Sequence, residues 1–440
     1  MNSKPHPKVL ILDETFKSNT GGGITLSNLF KNWPKDCLAN ALDAKDVSEI
    51  HSDEICNNFY SIGSDEKKTI KIFSFLQKKY KSGPYIFQPI KSQSQESKNN
   101  NIRKKLVAIF FDILHFIGLY HTLYQYKLSK ELKIWIQTFK PDYIYAQLST
   151  RESIQFTQML IDFTGAKLCI HMMDDWPITI SKTGLLKKYW HDKIDGEFRE
   201  LLEKSSVLMS ISDGMSKTYS KRYGKKFIPF HNPINIEDWL PYAKKDLLVD
   251  QSDIKILYAG RIGLGTSSSL LSMASAIQEL KNDGVSLTFQ IQTTTKDNVI
   301  REELSKFSCV NFNPEVNYSQ LPLIFSNVDV LVLPIDFTKR GIQFLRYSMP
   351  TKVSEFMISG TPVLLYCDPE VSLFDHAKKY QWAHIVSESN KNILKKQIME
   401  LMTNLELRKR LSITAIAYAS EKYSSINVRE SFKNEFVNHL

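Results

Sequence analysis

The segment that most constrains the fold spans residues 347–365 and has the sequence YSMPTKVSEFMISGTPVLL. Pro350 suits the first turn of a helix because its missing N–H would be unpaired there, and no helix breaker comes after it for several residues. Gly360 ends that helix, Pro362 prevents it from restarting, and residues 363–366 have the apolar character of a buried strand. The segment therefore predicts a helix followed by a strand in an α/β sheet.

A charged pair, Lys352 and Glu355, opens the predicted helix. Backbone amides at a helix start carry partial positive charge and attract phosphate, and Lys352 adds a full charge. Glu355 lies one turn further on, where it can accept hydrogen bonds from ribose hydroxyls. A nucleoside diphosphate would fit this pattern, although an ordinary β-α-β connection with a capped helix would have the same residues.

This segment resembles the donor site of nucleotide-sugar-dependent glycosyltransferases of the GT-B architecture, in particular the retaining family 4 group. That site is written Pro-Ser/Thr-Lys-x-x-Glu, four residues, then Gly-x-Pro, and the matching residues here are Pro350, Thr351, Lys352, Glu355, Gly360 and Pro362. The resemblance implies an α/β fold of two Rossmann-like doubly wound domains facing a cleft, with a C-terminal helix crossing back to the first domain. It also implies a UDP or GDP sugar as donor, transfer with retention, and no cofactor or metal.

Composition describes a globular chain and not a disordered or integral-membrane one, with 42% hydrophobic and 24% charged residues among 440. The five cysteines are scattered without metal-ligand spacing, so we expect them to be reduced and structural. Residues 1–8 show no apolar signal core. We expect a cytoplasmic protein, either free or peripheral at the inner face of the cell membrane.

The net charge of +10 is concentrated in one region. Residues 67–140 hold 15 Lys/Arg and three Asp/Glu, a net +12. A polar run at 92–101 and a basic triplet at 103–105 precede the apolar helix predicted at 106–120, which is too short to span a bilayer comfortably. That helix is either buried in the domain or part of an anionic membrane surface contact through 67–127. No nucleic-acid reading motif accompanies the charge, so we expect no nucleic-acid partner.

The chain begins with a strand predicted at 8–13, followed by three glycines at 21–23 and a helix. Such a glycine loop lets the backbone approach a ligand closely, but it can also be a simple turn. The resemblance places this loop near the donor phosphate and the acceptor, which makes Gly22 and Gly23 candidate donor contacts.

His171, Asp174 and Asp175 follow an apolar run that starts at residue 166. Because ligands of open α/β sheets gather at the carboxyl ends of strands, these groups are candidates for proton transfer or hydroxyl binding. The resemblance implies that His171 contacts the donor sugar, and the two acids could orient hydroxyls. The alternative is a solvated loop that caps the next helix. A metal site lacks an evident partner ligand.

The second domain is predicted to begin with a strand at 254–259 and a glycine-rich turn. The resemblance places Gly260 and Arg261 against the diphosphate, which a guanidinium can grip with two hydrogen bonds, and the nucleobase beside the backbone at 313–316, including Val316. Two family features are absent. Thr266 and Ser267 stand where a lysine is usual, and Tyr347 stands where a carboxylate often holds the sugar.

These patterns predict an acceptor-side domain at 1–240, a donor domain at 241–422, and a terminal helix at 423–440 that packs on the first domain. The predicted function is transfer of a sugar, of the hexosyl type, from a nucleoside-diphosphate sugar to an acceptor hydroxyl. We expect the acceptor to be a glycan or lipid-linked glycan in cell-surface polysaccharide assembly. The alternatives are a nucleotide-sugar epimerase or hydrolase, and a non-catalytic nucleotide-sugar-binding subunit.

Overall fold

A largely parallel sheet lies at the centre of each of two units in this computed structural model. The structure describes residues 6–17, 20–50, 54–69, 79–86, 101–180 and 183–439, with the backbone alone at 49, 101–108 and 298. The polar run expected at 92–101 therefore lies outside the described residues, apart from its last position. The first unit comprises residues 1–230 and 430–440, and the second comprises 231–429. This division falls at 230/231, ahead of the boundary expected at 240/241, which stays a prediction.

The first unit contains strands β1 to β10 and helices α1 to α7. The strands are β1 Val9–Leu12, β2 Leu38–Asp43, β3 Phe59–Ile62, β4 Lys67–Thr69, β5 Gly83–Tyr85, β6 Tyr124–Tyr126, β7 Tyr143–Ala146, β8 Lys167–Met172, β9 Ser205–Ser210 and β10 Ile228–Pro229. The helices are α1 Gly21–Phe30, α2 Asn101–Ile117, α3 Lys130–Phe139, α4 Arg151–Thr164, α5 Trp176–Thr179, α6 Lys187–Lys204 and α7 Asp213–Tyr223. The main sheet has the order β10-β9-β8-β7-β1-β2-β3-β5, and its pairs are parallel except β3 with β5.

The second unit repeats this plan with strands β11 to β16. The strands are β11 Ile254–Ala259, β12 Leu287–Gln292, β13 Val310–Phe312, β14 Val330–Pro334, β15 Val363–Tyr366 and β16 His384–Val386, in the order β13-β12-β11-β14-β15-β16. The helices are α8 Ile236–Trp239, α9 Ser267–Asn282, α10 Asn298–Ser305, α11 Leu321–Ser326, α12 Lys339–Leu345, α13 Lys352–Ile358, α14 Ser372–Tyr380, α15 Lys391–Thr403 and α16 Leu405–Lys422. The helix and strand predicted from the 347–365 segment are confirmed as α13 and β15.

The last helix, α17 Ser425–Val437, ends in the first unit. Phe432 and Phe436 are fully buried there, and the Tyr143 hydroxyl donates to the Phe436 carbonyl at 2.9 Å. The predicted return of the C-terminal helix to the first domain is therefore confirmed. Ile426, near the start of this helix, is 70% exposed.

Each sheet reverses its strand order beside its first strand. In the first unit β1 lies between β2 and β7, and in the second β11 lies between β12 and β14. Loops that leave such a point diverge to opposite faces of the sheet, so the carboxyl ends of these strands border a crevice where ligands bind in doubly wound folds. In the described residues, no helix combines the length and apolar character needed to cross a bilayer.

Candidate active site

The carboxyl end of β11 meets the start of α13 in the second unit. A Cβ built on Gly260 would lie 3.4 Å from the Lys352 ammonium nitrogen and 2.7 Å from the Tyr258 hydroxyl. A side chain at position 260 would overlap the Tyr258 hydroxyl, so glycine suits this turn, where the backbone passes close to the Lys352 ammonium group. The Tyr258 hydroxyl also donates to the carbonyl of Arg261 at 2.5 Å, which fixes the turn that carries the arginine.

Arg261, Lys352 and Glu355 share one electrostatic environment. Burial lowers the pKa of Lys352, while the charge of Glu355 raises it and that of Arg261 lowers it further. Burial raises the pKa of Glu355 to about 7, against the opposing effect of Lys352. Each group feels its neighbour's charge, so the structure brings together three residues that the sequence analysis selected.

In the part of the chain that the structure describes, neither Arg261 nor Lys352 forms a salt bridge with a carboxylate. Arg261 is exposed and Lys352 is half-buried. Two unpaired cations beside a glycine backbone form a site that an anion with several oxygen atoms would stabilise.

Tyr318 belongs to this site, and sequence reasoning missed it. It lies in a single turn that precedes α11, and its hydroxyl donates to Glu355 Oε1 at 3.0 Å. No local signal connects positions 37 residues apart, so only the folded chain reveals the hydrogen bond.

Val316 and Thr351 occupy the two backbone segments next to these side chains. Val316 is half-buried in the loop after β13, where the Gln292 side chain donates to the Pro314 carbonyl at 2.7 Å. Thr351 precedes α13, and its carbonyl accepts from the Ser354 hydroxyl at 3.2 Å. Their predicted contacts with a donor remain predictions.

In the first unit the three glycines lie inside the first turn of α1, and not in a loop ahead of it as the sequence analysis expected. A Cβ on Gly22 would lie 2.6 Å from Glu14 Oε2 and 2.9 Å from Gln147 Oε1. A Cβ on Gly23 would lie 2.4 Å from the Lys17 side chain. The protein's own side chains thus pack against Gly22 and Gly23, whose role toward a donor stays a prediction.

His171 lies in β8 with no exposed surface. A hydrogen bond of 2.7 Å joins its Nδ1 to the Tyr145 hydroxyl, which also accepts from the Gln147 amide at 3.2 Å. Burial lowers the pKa of His171 to about 4, so the imidazole is neutral at neutral pH. Its predicted contact with the donor sugar remains a prediction.

Asp174 and Asp175 differ in what their carboxylates do. Asp175 is buried and accepts from both guanidinium nitrogens of Arg222, at 2.6 and 3.0 Å, and from the Tyr219 hydroxyl at 2.8 Å. Asp174 is exposed, and desolvation and the charge of Asp175 raise its pKa although a backbone hydrogen bond at Trp176 opposes the shift. Of the two acids, Asp174 is the one available to a ligand.

Asp13 is a second residue that sequence reasoning did not select. The strand predicted at 8–13 ends at Leu12, and Asp13 adopts a left-handed backbone with φ of 67°. Desolvation, followed by the charge of Glu14, raises the pKa of Asp13 to about 7. Such a conformation is uncommon for residues other than glycine, although asparagine and aspartate adopt it more readily than most, and it places the Asp13 carboxyl at the end of β1.

No protein-family model and no curated protein matches the sequence. Solved structures match nearly all of the chain. Sucrose-phosphate synthase from Thermosynechococcus elongatus has a TM-score of 0.60 and 10% identity, with 98% of each chain covered. HepE of Anabaena, solved with UDP and glucose, has a TM-score of 0.59 and 12% identity, with 99% of this chain and 100% of that chain covered. A glycosyltransferase from Rickettsia africae ESF-5 has a TM-score of 0.58 and 11% identity, with 98% of each chain covered.

At these identities the likeness shows the fold alone. The chain therefore has the GT-B fold of these glycosyltransferases, as its sequence predicted.

Proposed function

We propose that this chain transfers a sugar from a nucleoside-diphosphate sugar to an acceptor hydroxyl. The observation that carries the proposal is the gathering of Arg261, Lys352 and Glu355 where β11 ends, with both cations unpaired in the described residues. The GT-B fold supports it, and so does HepE, a structural neighbour solved with UDP-glucose.

The proposed chemistry assigns a task to each group. Arg261 and Lys352 neutralise the diphosphate as the bond from the anomeric carbon to its oxygen breaks. Glu355 accepts from a ribose hydroxyl, and the backbone at Gly260, Val316 and Thr351 lines the nucleotide. The acceptor oxygen bonds to the anomeric carbon on the face that the diphosphate leaves, and its proton passes to the departing phosphate. This course gives retention.

In the first unit we propose that Asp174 orients sugar or acceptor hydroxyls, since the oxygens of Asp175 are already taken by Arg222. The His171 imidazole is neutral at neutral pH. We therefore propose that it contacts the donor sugar through a hydrogen bond and not through a charge. We propose that the backbone at Gly22 and Gly23 contacts the donor at the start of α1.

The transfer is further proposed to need no metal. Arg222 occupies the Asp175 carboxylate, and a cation site requires several free oxygen ligands. A saturating chelator should leave the initial rate within about twofold, because cationic side chains supply the charge that a metal would otherwise supply. A chelator-sensitive rate restored by Mg²⁺ or Mn²⁺ would contradict this.

The proposed acceptor is a glycan or lipid-linked glycan of cell-surface polysaccharide assembly, reached from an anionic membrane surface through 67–127. Ile109, Ile113 and Phe116 support this contact because they recur at helical spacing on α2 and are 54, 52 and 55% exposed. An apolar helix face in a basic region matches a lipid interface.

Vesicle co-sedimentation tests the membrane contact. Ile113→Ser should weaken binding to anionic vesicles, whereas Ile413→Ser, at an exposed position of α16, should not. Equal binding of the unaltered protein to neutral and anionic vesicles would remove the lipid from the proposal.

The donor is tested by thermal shift against UDP-, GDP-, ADP- and CMP-sugars, with UDP or GDP expected. Lys352→Ala and Glu355→Ala should each reduce the shift, while Lys396→Ala, an exposed lysine on α15, should leave it unchanged. Unchanged shifts in the first two variants would refute the site.

Donor turnover without an acceptor would favour an epimerase or hydrolase. Donor binding without any turnover would favour a non-catalytic subunit.

A further inference from the structure

Two contacts hold the Tyr318 side chain, one at its hydroxyl and one at its ring, although the residue is largely exposed. Its hydroxyl donates to Glu355 Oε1, and its ring packs edge-on against Trp239 with 6.1 Å between centroids. Trp239 is 1% exposed, whereas Tyr318 is 54% exposed. A large exposed aromatic residue usually has a mobile side chain, but these two contacts give Tyr318 one orientation.

Glu355 depends on this contact for its own orientation. Its side chain is buried, and of its two oxygens Oε1 accepts from Tyr318. Among the described residues, Oε2 accepts no hydrogen bond and Lys352 forms no ion pair with the carboxylate. Tyr318 is thus the group that determines where Oε2 points.

We propose that Tyr318 is a positioning residue that makes this site selective for ribonucleotides: its hydroxyl fixes Glu355 so that Oε2 meets a ribose hydroxyl of the nucleotide. The inference rests on the proposed function and deepens it. A site built to bind a hydroxyl rejects an analogue that lacks it, since a buried acceptor is then left unpaired. The discrimination against that analogue weakens when the hydrogen-bond-accepting carboxylate can rotate away from the ribose.

The charges around Glu355 make the ribose preference depend on pH. A purely structural role of Tyr318 would leave that pH dependence unchanged. The charge of Lys352 and the Tyr318 hydrogen bond act on the Glu355 carboxylate, Arg261 acts on Lys352, and Asp238 acts on Tyr318. The pKa of Glu355 is about 7, and the Tyr318 hydrogen bond opposes its rise. Ribose preference should therefore fall as pH drops through 7, and loss of the hydroxyl should move that midpoint to higher pH.

The experiment compares Tyr318→Phe with Tyr242→Phe, a matched control at another exposed tyrosine of the second unit. Calorimetry would measure binding of UDP, GDP and their 2′,3′-dideoxy forms from pH 6 to 8. We expect the unaltered protein to prefer the ribonucleotide by about 30-fold or more at pH 8. Tyr318→Phe should reduce this to about 5-fold and shift the pH midpoint upward, and the control should match the unaltered protein.

Two outcomes separate the inference from the proposed function. Normal ribonucleotide binding with unchanged preference and midpoint in Tyr318→Phe would overturn the inference alone. Absence of binding by the unaltered protein would overturn both. In a Glu355→Ala background, Tyr318→Phe should cause no further loss of preference, because the hydroxyl acts only through that carboxylate.

Discussion

The carboxyl ends of the two sheets use their charged and polar side chains differently. In the second unit Arg261 and Lys352 are unpaired among the described residues. In the first unit Arg222 binds Asp175, and Tyr145 binds His171. Although both units are doubly wound, the sheet end of the second unit has cations available to an external anion, whereas the polar groups at the sheet end of the first unit stabilise that unit.

This difference predicts opposite consequences for similar substitutions. Removing a paired group in the first unit leaves a buried partner unsatisfied, so stability falls. Removing an unpaired cation in the second unit relieves repulsion, so binding falls and stability does not.

The largest effect is expected for Asp175→Ala. It would leave the Arg222 guanidinium and the Tyr219 hydroxyl without their acceptor, at a cost of about 3 kcal/mol in the free energy of unfolding. Denaturant unfolding measures it, with Asp174→Ala as the control, for which we expect less than about 0.5 kcal/mol. A small loss for Asp175→Ala would mean that the first unit is not stabilised by this network.

Glu355 in the second unit and His171 in the first should contribute to stability with opposite dependence on pH. The pKa of Glu355 is raised from 4.5 to about 7, so the folded state binds the proton more tightly and stability falls as pH rises across that window. The pKa of His171 is lowered from 6.5 to about 4, so stability rises with pH between these values. Each contribution is on the order of 3 kcal/mol.

Glu355→Gln should remove the part of the fall with pH that Glu355 contributes, and His171→Gln the part of the rise that His171 contributes. Unfolding curves between pH 4 and 8 would show this as a change of slope, whatever the overall stability of each variant. If stability changed with pH by the same slope in the unaltered protein and in both variants, the pKa shifts assigned to Glu355 and His171 would be wrong.

Arg261→Ala sharpens the comparison on the binding side. Loss of one of two cations facing a diphosphate should weaken UDP or GDP binding about 30-fold, with stability unchanged within about 0.5 kcal/mol. Arg222→Ala provides the counterpart, with lower stability in the first unit. If Arg261→Ala destabilised the protein as much as Arg222→Ala, the contrast between the two ends would fail.

Gly260→Ala should have the smallest of these effects. The added methyl group would lie 2.7 Å from the Tyr258 hydroxyl, so the turn that carries Arg261 must shift. We expect about tenfold weaker nucleotide binding and about 1 kcal/mol lower stability, measured by calorimetry and unfolding. Gly263→Ala, where a Cβ meets nothing within 4 Å, is the matched control.

Much of the fold could be predicted because its signals are local. Pro350 and Gly360 bracket α13, and the apolar run after Pro362 coincides with β15. Short sequence patterns contain the three selected residues, Arg261, Lys352 and Glu355, so the sequence alone was enough to select them. Asp13 was missed because an aspartate permits but does not require a left-handed backbone, which the path of the chain after β1 decides.

The sequence by itself determined the two-unit α/β plan, the helix and strand of residues 347–365 and the candidate cations, since periodicity and helix-ending residues act over a few positions. Only the tertiary structure decided that Tyr318 orients Glu355, that Arg222 takes Asp175 and that His171 is buried against Tyr145. These pairings join residues 26 to 47 positions apart. They arise from packing around the two sheets, which no short stretch of sequence encodes.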